Sequence, residues 1–423
     1  MMVVTEQHVA KMNKAVHVLL MTRSPLALSY AGPGLTVQRL LKTHGQSAKN
    51  NFAMSALFSD KIAKSYELLS SAKEGKSGQL AKKSTPGIFH FATGYVFSII
   101  RFMLNLKREM RSIEQGPIIM HAHDLLSAYL SWLLYHHRYP LIFTLHGKGG
   151  YVREPMIQYP KLQGTFMHKL LRRVEMTAIQ RSDIVVFTSK GAQALFEDEY
   201  PDLLRDKDVR IVHPGIGVAE LDSVPVDRAL LKKYGAIDGT NVLLCISALV
   251  KDKGVDVLLE AISSLPEDVR AKLSCLVVGR GYLKDELEKL IIEKHLGDRV
   301  KLATDFLPRE DLFGLMKVAD LFVLPSVVSV FDQILLEVGA VGLPVITTAV
   351  GGNIEMYDTN SAILIPPNDS QALAEAISKL VTEEGLRKRL SENARQRIRS
   401  RFSPESEYNS YHAIYKEIAS YKR

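Results

Sequence analysis

Cysteine is scarce in this sequence, and a disulfide framework is not expected. Cys245 and Cys275 are the only two cysteines among the 423 residues, and both stand inside short apolar runs typical of strands. In such positions buried free thiols are favoured over a disulfide, and a reducing compartment is indicated.

Long apolar segments are also missing. No run of eighteen uncharged apolar residues occurs, so we expect no membrane-spanning helix. The N-terminal region lacks a basic stretch followed by an apolar stretch and a cleavage site, which argues against a signal peptide. Together these absences predict a cytoplasmic protein.

Motifs for nucleic-acid binding are absent as well, although the chain is basic. The formal net charge is +8 and the sequence pI is about 9.2, which indicates attraction to an anionic partner. Nucleic acid, anionic lipid and a charged substrate all fit that charge. Because zinc-ligand spacing, a helix-turn-helix pattern and an aromatic-glycine RNA signature are lacking, nucleic acid is not expected.

What the sequence does contain is a soluble composition and a length sufficient for two cores. It is 46% hydrophobic and 24% charged, and its mean hydropathy is +0.01, which is typical of a soluble globular protein. At 423 residues it exceeds one ordinary core. Two domains of about 200 residues each are therefore predicted.

Short apolar runs alternate with longer amphipathic ones in both halves. "AVHVLLMT" (15–22) predicts a first buried strand, and the alternation breaks after Gly215 and restarts with "NVLLCISAL". This pattern predicts two doubly wound α/β domains with parallel sheets. The predicted organisation is an N-terminal Rossmann-like domain at 13–218, a linker at 219–240, a C-terminal Rossmann-like domain at 241–402, and a helix at 403–423 that returns to the first domain.

Glycine turns at strand ends, a lysine and a histidine are the candidate ligand contacts. Glycines between a strand and a helix allow a backbone to approach phosphate at a helix N-terminus. Lys253 follows a predicted strand and can reach a diphosphate. His146 follows another strand, and "HAHD" (121–124) stands at the end of a third. Solvated or loop-satisfying roles remain open for Lys253 and for these histidines. The glycines stand in "GPGL", "VGRGY" and "AVGGN", at positions Gly32, Gly34, Gly279, Gly281, Gly351 and Gly352.

A basic segment interrupts the first half. Residues 61–86 carry six lysines among Ser and Gly. The apolar stretch that follows is joined to Arg101, Lys107, Arg108 and Arg111. Two interpretations stay open: an ordinary loop and helix with a solvated basic end, or a patch that meets anionic lipid head groups.

Taken in order, five strings resemble the family 4 glycosyltransferases. They are "SALVKDKGVDVLLEA", "LVVGRGYLKDELEKL", "FLPREDLFGLMKVADLFVLPS", "LLEVGAVGLPVITTAVGG" and "SAILIPPNDSQALAEAI", between residues 241 and 383. The resemblance implies the GT-B fold, α/β with two Rossmann-like domains facing each other across a cleft. The N-terminal domain would then be the acceptor side and the C-terminal domain the nucleotide-sugar donor side.

The resemblance also assigns residues. Gly32 and Gly34 match the loop over the donor diphosphate, His146 the catalytic-site histidine near the donor sugar, and Lys253 the phosphate-binding lysine. Glu337 matches the second glutamate of the E-x7-E motif, which holds the ribose and is grouped with the catalytic residues. Phe331 and the turns at Gly279, Gly281, Gly351 and Gly352 complete the predicted donor site.

Three positions depart from the family pattern. Ser329 stands where the first glutamate of the motif is expected, Asp332 replaces a glycine, and Ala248 replaces a phosphate-binding arginine. A rebuilt enzyme would hold the sugar with Ser329 or Asp332 and the diphosphate with Lys251, Lys253 or Arg280. The alternative is a catalytically inactive GT-B partner or scaffold subunit of a glycosyltransferase complex.

For the enzyme, the resemblance implies transfer with retention of configuration, without metal or cofactor. The co-substrate would be a UDP- or GDP-sugar, and the acceptor a glycan, a lipid-linked molecule or a small molecule. Such enzymes serve polysaccharide or glycolipid biosynthesis, in the cytoplasm or peripherally on the cytoplasmic face of a membrane. An epimerase or a phosphorylase of the same fold is less favoured, because the five strings look like family 4.

Overall fold

The computed structural model describes residues 16–22, 32–47, 52–57, 62–63, 88–113, 116–147, 149–153, 156 and 160–421. The chain divides into two compact units, each with its own sheet. Unit 1 comprises Met1–Thr188, Gln193–His213 and Pro404–Arg423, and unit 2 comprises Ser189–Ala192 and Pro214–Ser403.

Unit 1 is built on a seven-stranded sheet in the order β3-β2-β1-β4-β5-β6-β7. All described pairings are parallel except that of β3, which runs antiparallel to β2. The strands are β1 (Val16–Met21), β2 (Phe52–Leu57), β3 (Ile62–Ala63), β4 (Ile118–Ala122), β5 (Leu141–Leu145), β6 (Ile184–Phe187) and β7 (Asp208–Ile211). The helices are α1 (Gly32–Gln46), α2 (Ile88–Ser112), α3 (Leu125–Tyr135), α4 (Phe166–Arg181), α5 (Lys190–Glu199), of which residues 193–199 belong to unit 1, and the last helix of the chain, α16 (Pro404–Tyr421).

The last helix completes the core of unit 1. Tyr411 and Tyr415 are almost fully buried in the same apolar cluster as Leu40 of α1. Arg39 of α1 donates to the Glu407 carboxylate of α16 at 2.7 Å. Burying large aromatic side chains removes much apolar surface from water. This explains why a chain end that is distant in sequence packs on α1.

Unit 2 is built on a fully parallel six-stranded sheet in the order β10-β9-β8-β11-β12-β13. Apolar clusters cover both of its faces. The strands are β8 (Asn241–Ile246), β9 (Leu273–Val278), β10 (Val300–Ala303), β11 (Leu321–Leu324), β12 (Val345–Thr348) and β13 (Ile363–Ile365). The helices are α6 (Ala219–Ser223), α7 (Ala229–Lys233), α8 (Val255–Ser263), α9 (Glu267–Arg270), α10 (Lys284–Glu293), α11 (Arg309–Val318), α12 (Gln333–Val341), α13 (Asn353–Met356), α14 (Ser370–Thr382) and α15 (Glu384–Arg401).

The segment between the two alternating patterns is more ordered than its sequence indicates. The units separate between His213 and Pro214, and residues 219–240 contain α6 and α7. Leu221 and Leu231 are buried in the core of unit 2. Glycine and proline limit these helices to five residues each. The burial of one leucine from each helix nevertheless packs the segment against unit 2.

Two expectations from composition can be compared with the structure directly. Cys245 and Cys275 are buried free thiols, as predicted, and burial raises the pKa of Cys245 to about 12. Among the described residues, no helix is long and apolar enough to cross a bilayer.

Candidate functional site

A cavity of about 560 Å³ opens at the carboxyl ends of the unit 2 strands. Parallel sheets present their ligand sites at this edge, and the volume is within the usual range for small-molecule sites. Two of its lining side chains are cationic, Lys253 and Arg280, and two are anionic, Asp305 and Asp332. The remaining lining residues are Ile246, Ser247, Ala248, Val278, Gly279, Phe306, Leu307, Leu312, Leu324, Gln333 and Ile334.

Lys253 reaches the cavity from the turn between β8 and α8. It ends a short 3-10 turn, after which Gly254 adopts a left-handed conformation with φ of 63°. Its ammonium group donates to the Asp332 carboxylate. The two side chains are only 12% and 13% exposed, so the ion pair is well shielded from solvent. The predicted phosphate lysine therefore already has an anionic partner within the chain.

Asp332 stands at the N-terminus of α12. It is the N-cap residue of this helix, but its side chain makes no capping hydrogen bond. One carboxylate oxygen accepts from Lys253, and the other accepts from the Ser326 hydroxyl at 3.1 Å. A helix N-terminus carries unsatisfied N–H groups and a partial positive charge. The carboxylate thus lies where two sources of positive potential meet.

Glu337 lies one turn further along α12. Its side chain is 18% exposed, and Arg309 Nη2 lies 3.6 Å from its carboxylate. Arg309 Nε is also 3.2 Å from a Glu220 carboxylate oxygen. Burial raises the pKa of the Glu337 carboxyl, and the Arg309 guanidinium partly opposes that effect. Glu337 is not among the residues that line the cavity, so its contact with a ligand hydroxyl stays a prediction.

Ser329 and Phe331 face the protein interior. Ser329 is buried, and its hydroxyl donates to Asn353 Oδ1 at 2.8 Å. The Asn353 amide in turn donates to Thr347 Oγ1 at 3.1 Å and to the Thr348 carbonyl. The Phe331 ring is partly buried against the unit 2 core. Neither side chain is among those lining the cavity, and the Ser329 hydroxyl is already engaged in its hydrogen bond to Asn353.

The predicted glycine contacts of unit 2 have a packing explanation of their own. A Cβ at Gly279 would overlap the Ser247 carbonyl, and one at Gly281 would overlap the Leu249 carbonyl. The same holds for Gly351 and Gly352 against the backbone of the loop before α12. Glycine is needed there because two backbones approach closely. Contact with a donor is a further role that stays a prediction.

The unit 1 candidates meet at the ends of β4 and β5. His146 follows β5, and its Nε2 lies 3.1 Å from His123 Nδ1. The protein surroundings lower the pKa of His146 to about 3, first by burial and then through the Arg39 charge. Its imidazole is therefore neutral at physiological pH.

The neighbouring histidines are neutral for the same reason. His121 pairs with Tyr415 Oη at 2.7 Å and with Thr144 Oγ1 at 2.8 Å. Burial lowers its pKa to about 3 and also holds the pKa of His123 well below its usual range. His123 Nε2 is buried with no hydrogen-bond partner among the described residues. The histidines of "HAHD" thus form a buried polar layer under His146.

Gly32 and Gly34 lie within a helix. The sequence predicts a glycine turn that leads into a helix, whereas α1 begins at Gly32 itself and Gly34 belongs to its first turn. Residues 23–31, which precede them, lie outside the described residues. Helical N–H groups at this end still suit an anion, since helix N-termini bind phosphate. A role in donor binding stays a prediction.

Two family models match the chain. The model described as "Glycosyl transferases group 1" matches residues 227–397, and "Glycosyltransferase Family 4" matches residues 70–220. The chain belongs to glycosyltransferase family 4.

Two relatives are similar to more than two thirds of the chain. N-acetyl-alpha-D-glucosaminyl L-malate synthase of Bacillus anthracis is 28% identical over 342 residues, which cover 78% of this chain and 84% of the relative. D-inositol 3-phosphate glycosyltransferase of Xylanimonas cellulosilytica is 28% identical over 69% of this chain and 70% of the relative.

Solved structures show the fold. Sucrose-phosphate synthase of Thermosynechococcus elongatus superposes with a TM-score of 0.69 at 18% identity, covering 97% of this chain and 100% of the other. Anabaena HepE, solved with UDP and glucose, gives 0.65 at 16% identity, covering 96% and 99%. The predicted two-domain GT-B fold of this family 4 glycosyltransferase is confirmed.

Three contacts of the predicted site residues were not indicated by the sequence. In unit 2 they are Arg309 with Glu337 and Asn353 with Ser329, and in unit 1 His123 with His146. Arg309 lies inside a family string, "FLPREDLFGL", but nothing in that string indicates its partner. "HAHD" at a strand end was a signal for His123, and its meaning depended on what packs beside it.

Proposed function

We propose that this family 4 member is an active, retaining glycosyltransferase that uses a UDP- or GDP-sugar and requires no metal. The observation that carries the proposal is the cavity of unit 2, where Lys253 and the N-terminus of α12 converge at the carboxyl ends of parallel strands. Positive groups placed there would stabilise the charge that develops on a leaving diphosphate. Anabaena HepE, which was solved with UDP and with UDP-glucose, supports a nucleotide-sugar co-substrate.

The roles of individual residues follow from their charges. Lys253 would stabilise the leaving diphosphate once it is freed from Asp332, and Glu337 would accept hydrogen bonds from the ribose. His146 is neutral, so it would exchange hydrogen bonds with a sugar hydroxyl and would not act as a cation. In a retaining transfer, the acceptor attacks from the face that the nucleotide leaves.

The acceptor is proposed to be an anionic small molecule or a lipid-linked or glycan acceptor. The names of two relatives include L-malate and D-inositol 3-phosphate, which are both anionic. The net charge of +8 fits such a molecule. This supports the small-molecule option most directly.

An anionic membrane surface is a second proposed partner. On one face of α2, Ile100 and Leu104 are 48% and 62% exposed, and Lys107, Arg108 and Arg111 are exposed on the same helix. Apolar and basic side chains interleaved on one helix face are typical of interfacial helices. Most of the lysine-rich segment 61–86 lies outside the described residues. Sedimentation with anionic but not neutral vesicles at low salt would support the surface, and equal sedimentation with both would contradict it.

The inactive-partner alternative has an observation in its favour. Lys253 is paired internally, and Ala248 lines the cavity where the family has an arginine, so few free cations are available for a diphosphate. The deciding experiment is transfer from a panel of UDP- and GDP-sugars to malate, inositol phosphates and lipid-linked acceptors, with and without added metal. Product formation that is lost in Glu337→Ala supports the enzyme. Absence of transfer from every donor, while the chain still binds a partner glycosyltransferase, supports the alternative.

A further inference from the structure

The phosphate-facing lysine of unit 2 is held by a carboxylate that the chain itself supplies. Lys253 donates to Asp332, and the same carboxylate accepts from Ser326. All three side chains are mostly or fully buried. At such low exposure the attraction is weakly screened by solvent, so the pair persists at ordinary salt.

The position of the carboxylate is as informative as its partner. Asp332 is the N-cap of α12, a nine-residue helix, yet its side chain makes no capping hydrogen bond and is directed to Lys253. Gln333 and Ile334, the first residues of that helix, line the cavity together with Asp332. An anionic ligand group would seek the same two attractions, the ammonium group and the helix N-terminus. Asp332 therefore occupies the place that suits an incoming phosphate.

The charges that line the cavity strengthen the competition between Asp332 and an incoming phosphate. Among the residues lining the cavity, Lys253 and Arg280 are balanced by Asp305 and Asp332, and Ala248 contributes no charge. A diphosphate that enters while Asp332 remains charged meets a site with no net positive charge. Because the Asp332 side chain is only 13% exposed, a like charge that approaches it within a few ångströms is strongly repelled. The resulting loss of affinity is largest for the ligand groups that carry the most negative charge.

We infer that Asp332 is an internal counter-ion that competes with the donor for Lys253 and thereby sets how tightly the cavity holds nucleoside diphosphates. The inference rests on the proposed function, in which Lys253 binds the donor diphosphate. Binding of the donor must displace the carboxylate from the ammonium group. The released nucleoside diphosphate is in turn displaced by the returning carboxylate, which favours product release.

The test measures affinity for nucleotides of different charge. Asp332→Asn keeps the size of the side chain and removes its charge, and Asp332→Gly gives the residue found in the family pattern. The matched control is Asp305→Asn, which removes another carboxylate from the same cavity, whereas the ion pair of Lys253 is with Asp332. Dissociation constants for UDP, UMP and uridine are measured by titration calorimetry for each chain, after thermal unfolding has shown that it is folded.

The expected result is a charge-dependent gain. Asp332→Asn should bind UDP about tenfold more tightly, the value expected for loss of one shielded like charge, with a smaller gain for UMP and none for uridine. Asp332→Gly should show the same order, and Asp305→Asn should show a smaller gain. In the Lys253→Ala background the gain from Asp332→Asn should shrink to about that of Asp305→Asn, because repulsion alone remains when there is no lysine to withhold.

Several outcomes would overturn the inference. They are weaker or unchanged UDP binding in both Asp332 variants, an equal gain for uridine, or a gain that is undiminished without Lys253. Undetectable binding to the wild type and to both variants would also overturn it, because removing the carboxylate would have opened nothing. The proposed function is judged separately by sugar transfer in the wild type, so a transferase with unchanged UDP affinity in Asp332→Asn would lose only this inference. GDP is titrated in parallel, so that base preference does not mask the effect.

Discussion

The strand ends of the two sheets carry polar groups of opposite kinds. In unit 1 the groups at the ends of β4 and β5 are histidines, which are buried or partly buried and kept neutral. In unit 2 the groups near β8 and β11 are charged and paired, as in Lys253 with Asp332 and Glu337 with Arg309. Neutral groups suit a sugar, whose hydroxyls exchange hydrogen bonds, whereas charged groups suit a phosphate. Similar sheets thus present different chemistry, because different side chains are buried at their edges.

The largest expected effect is that of acid, which should charge the histidines of unit 1, remove the contrast with unit 2 and lower the stability of unit 1. Their folded pKa values lie below 6.5, so the unfolded chain binds more protons as pH falls from 6.5 towards 3. Stability is therefore fully present above 6.5 and is lost across that window, by up to about 1.4 kcal/mol per pH unit for each histidine. Urea unfolding at a series of pH values, followed by the fluorescence of the single tryptophan, Trp132 in unit 1, measures the slope.

A histidine variant tests whether the neutral imidazoles of unit 1 cause this pH dependence of the free energy of unfolding. His123→Asn should flatten the dependence, because one neutral buried imidazole is gone. The matched control is His168→Asn, since the His168 ring makes only an exposed contact with the Gly164 N–H. If both variants keep the wild-type slope, the histidine layer is not what makes unit 1 sensitive to acid.

In unit 2, Glu337→Ala should weaken nucleotide binding by about one to two powers of ten, through the loss of charged hydrogen bonds to ribose. Because burial raises the pKa of Glu337, wild-type binding should also weaken as pH falls, beginning above the range of an ordinary glutamate. Calorimetric titration with UDP measures both effects. Glu310→Ala, which removes an exposed carboxylate on α11, is the matched control. Equal affinities of the wild type and Glu337→Ala would remove the ribose assignment.

A gain of charge in unit 2 would sharpen the comparison. Ala248→Arg restores the cation of the family pattern at a residue that lines the cavity. A new charged hydrogen bond to phosphate is worth about 1.5 kcal/mol, or about tenfold in the dissociation constant of UDP. Ala248→Gln, which adds length without charge, is the control. An equal effect of the two substitutions would mean that charge is not what the cavity lacks.

The sequence predicted the elements of both sheets better than it predicted their side-chain partners. Alternating apolar runs and five family strings located β8, α8 and α12, and with them Lys253 and Glu337. Side-chain partners cannot be predicted from local sequence patterns when they are far apart in the chain. Lys253 and Asp332 are 79 residues apart, and Ser329 and Asn353 are 24 residues apart. Such pairs depend on which strand ends become neighbours in the folded sheet. The two short helices within 219–240 were not predicted, because nearby glycine and proline residues favour a linker over a helix in a sequence pattern.

The smallest expected effect concerns Ser329, the residue at the position of the missing glutamate. Its buried hydroxyl donates to Asn353, so Ser329→Ala leaves the Asn353 carbonyl oxygen without that donor. Loss of one neutral hydrogen bond should lower the free energy of unfolding by about 1 kcal/mol and leave UDP affinity nearly unchanged. Ser329→Thr, which keeps the hydroxyl, is the control for its loss. A fall in turnover at constant stability would instead restore Ser329 as a sugar contact. Ser329→Glu tests the same point from the other side, because a carboxylate at this buried position loses its hydration and should destabilise unit 2 before it can rebuild the family motif.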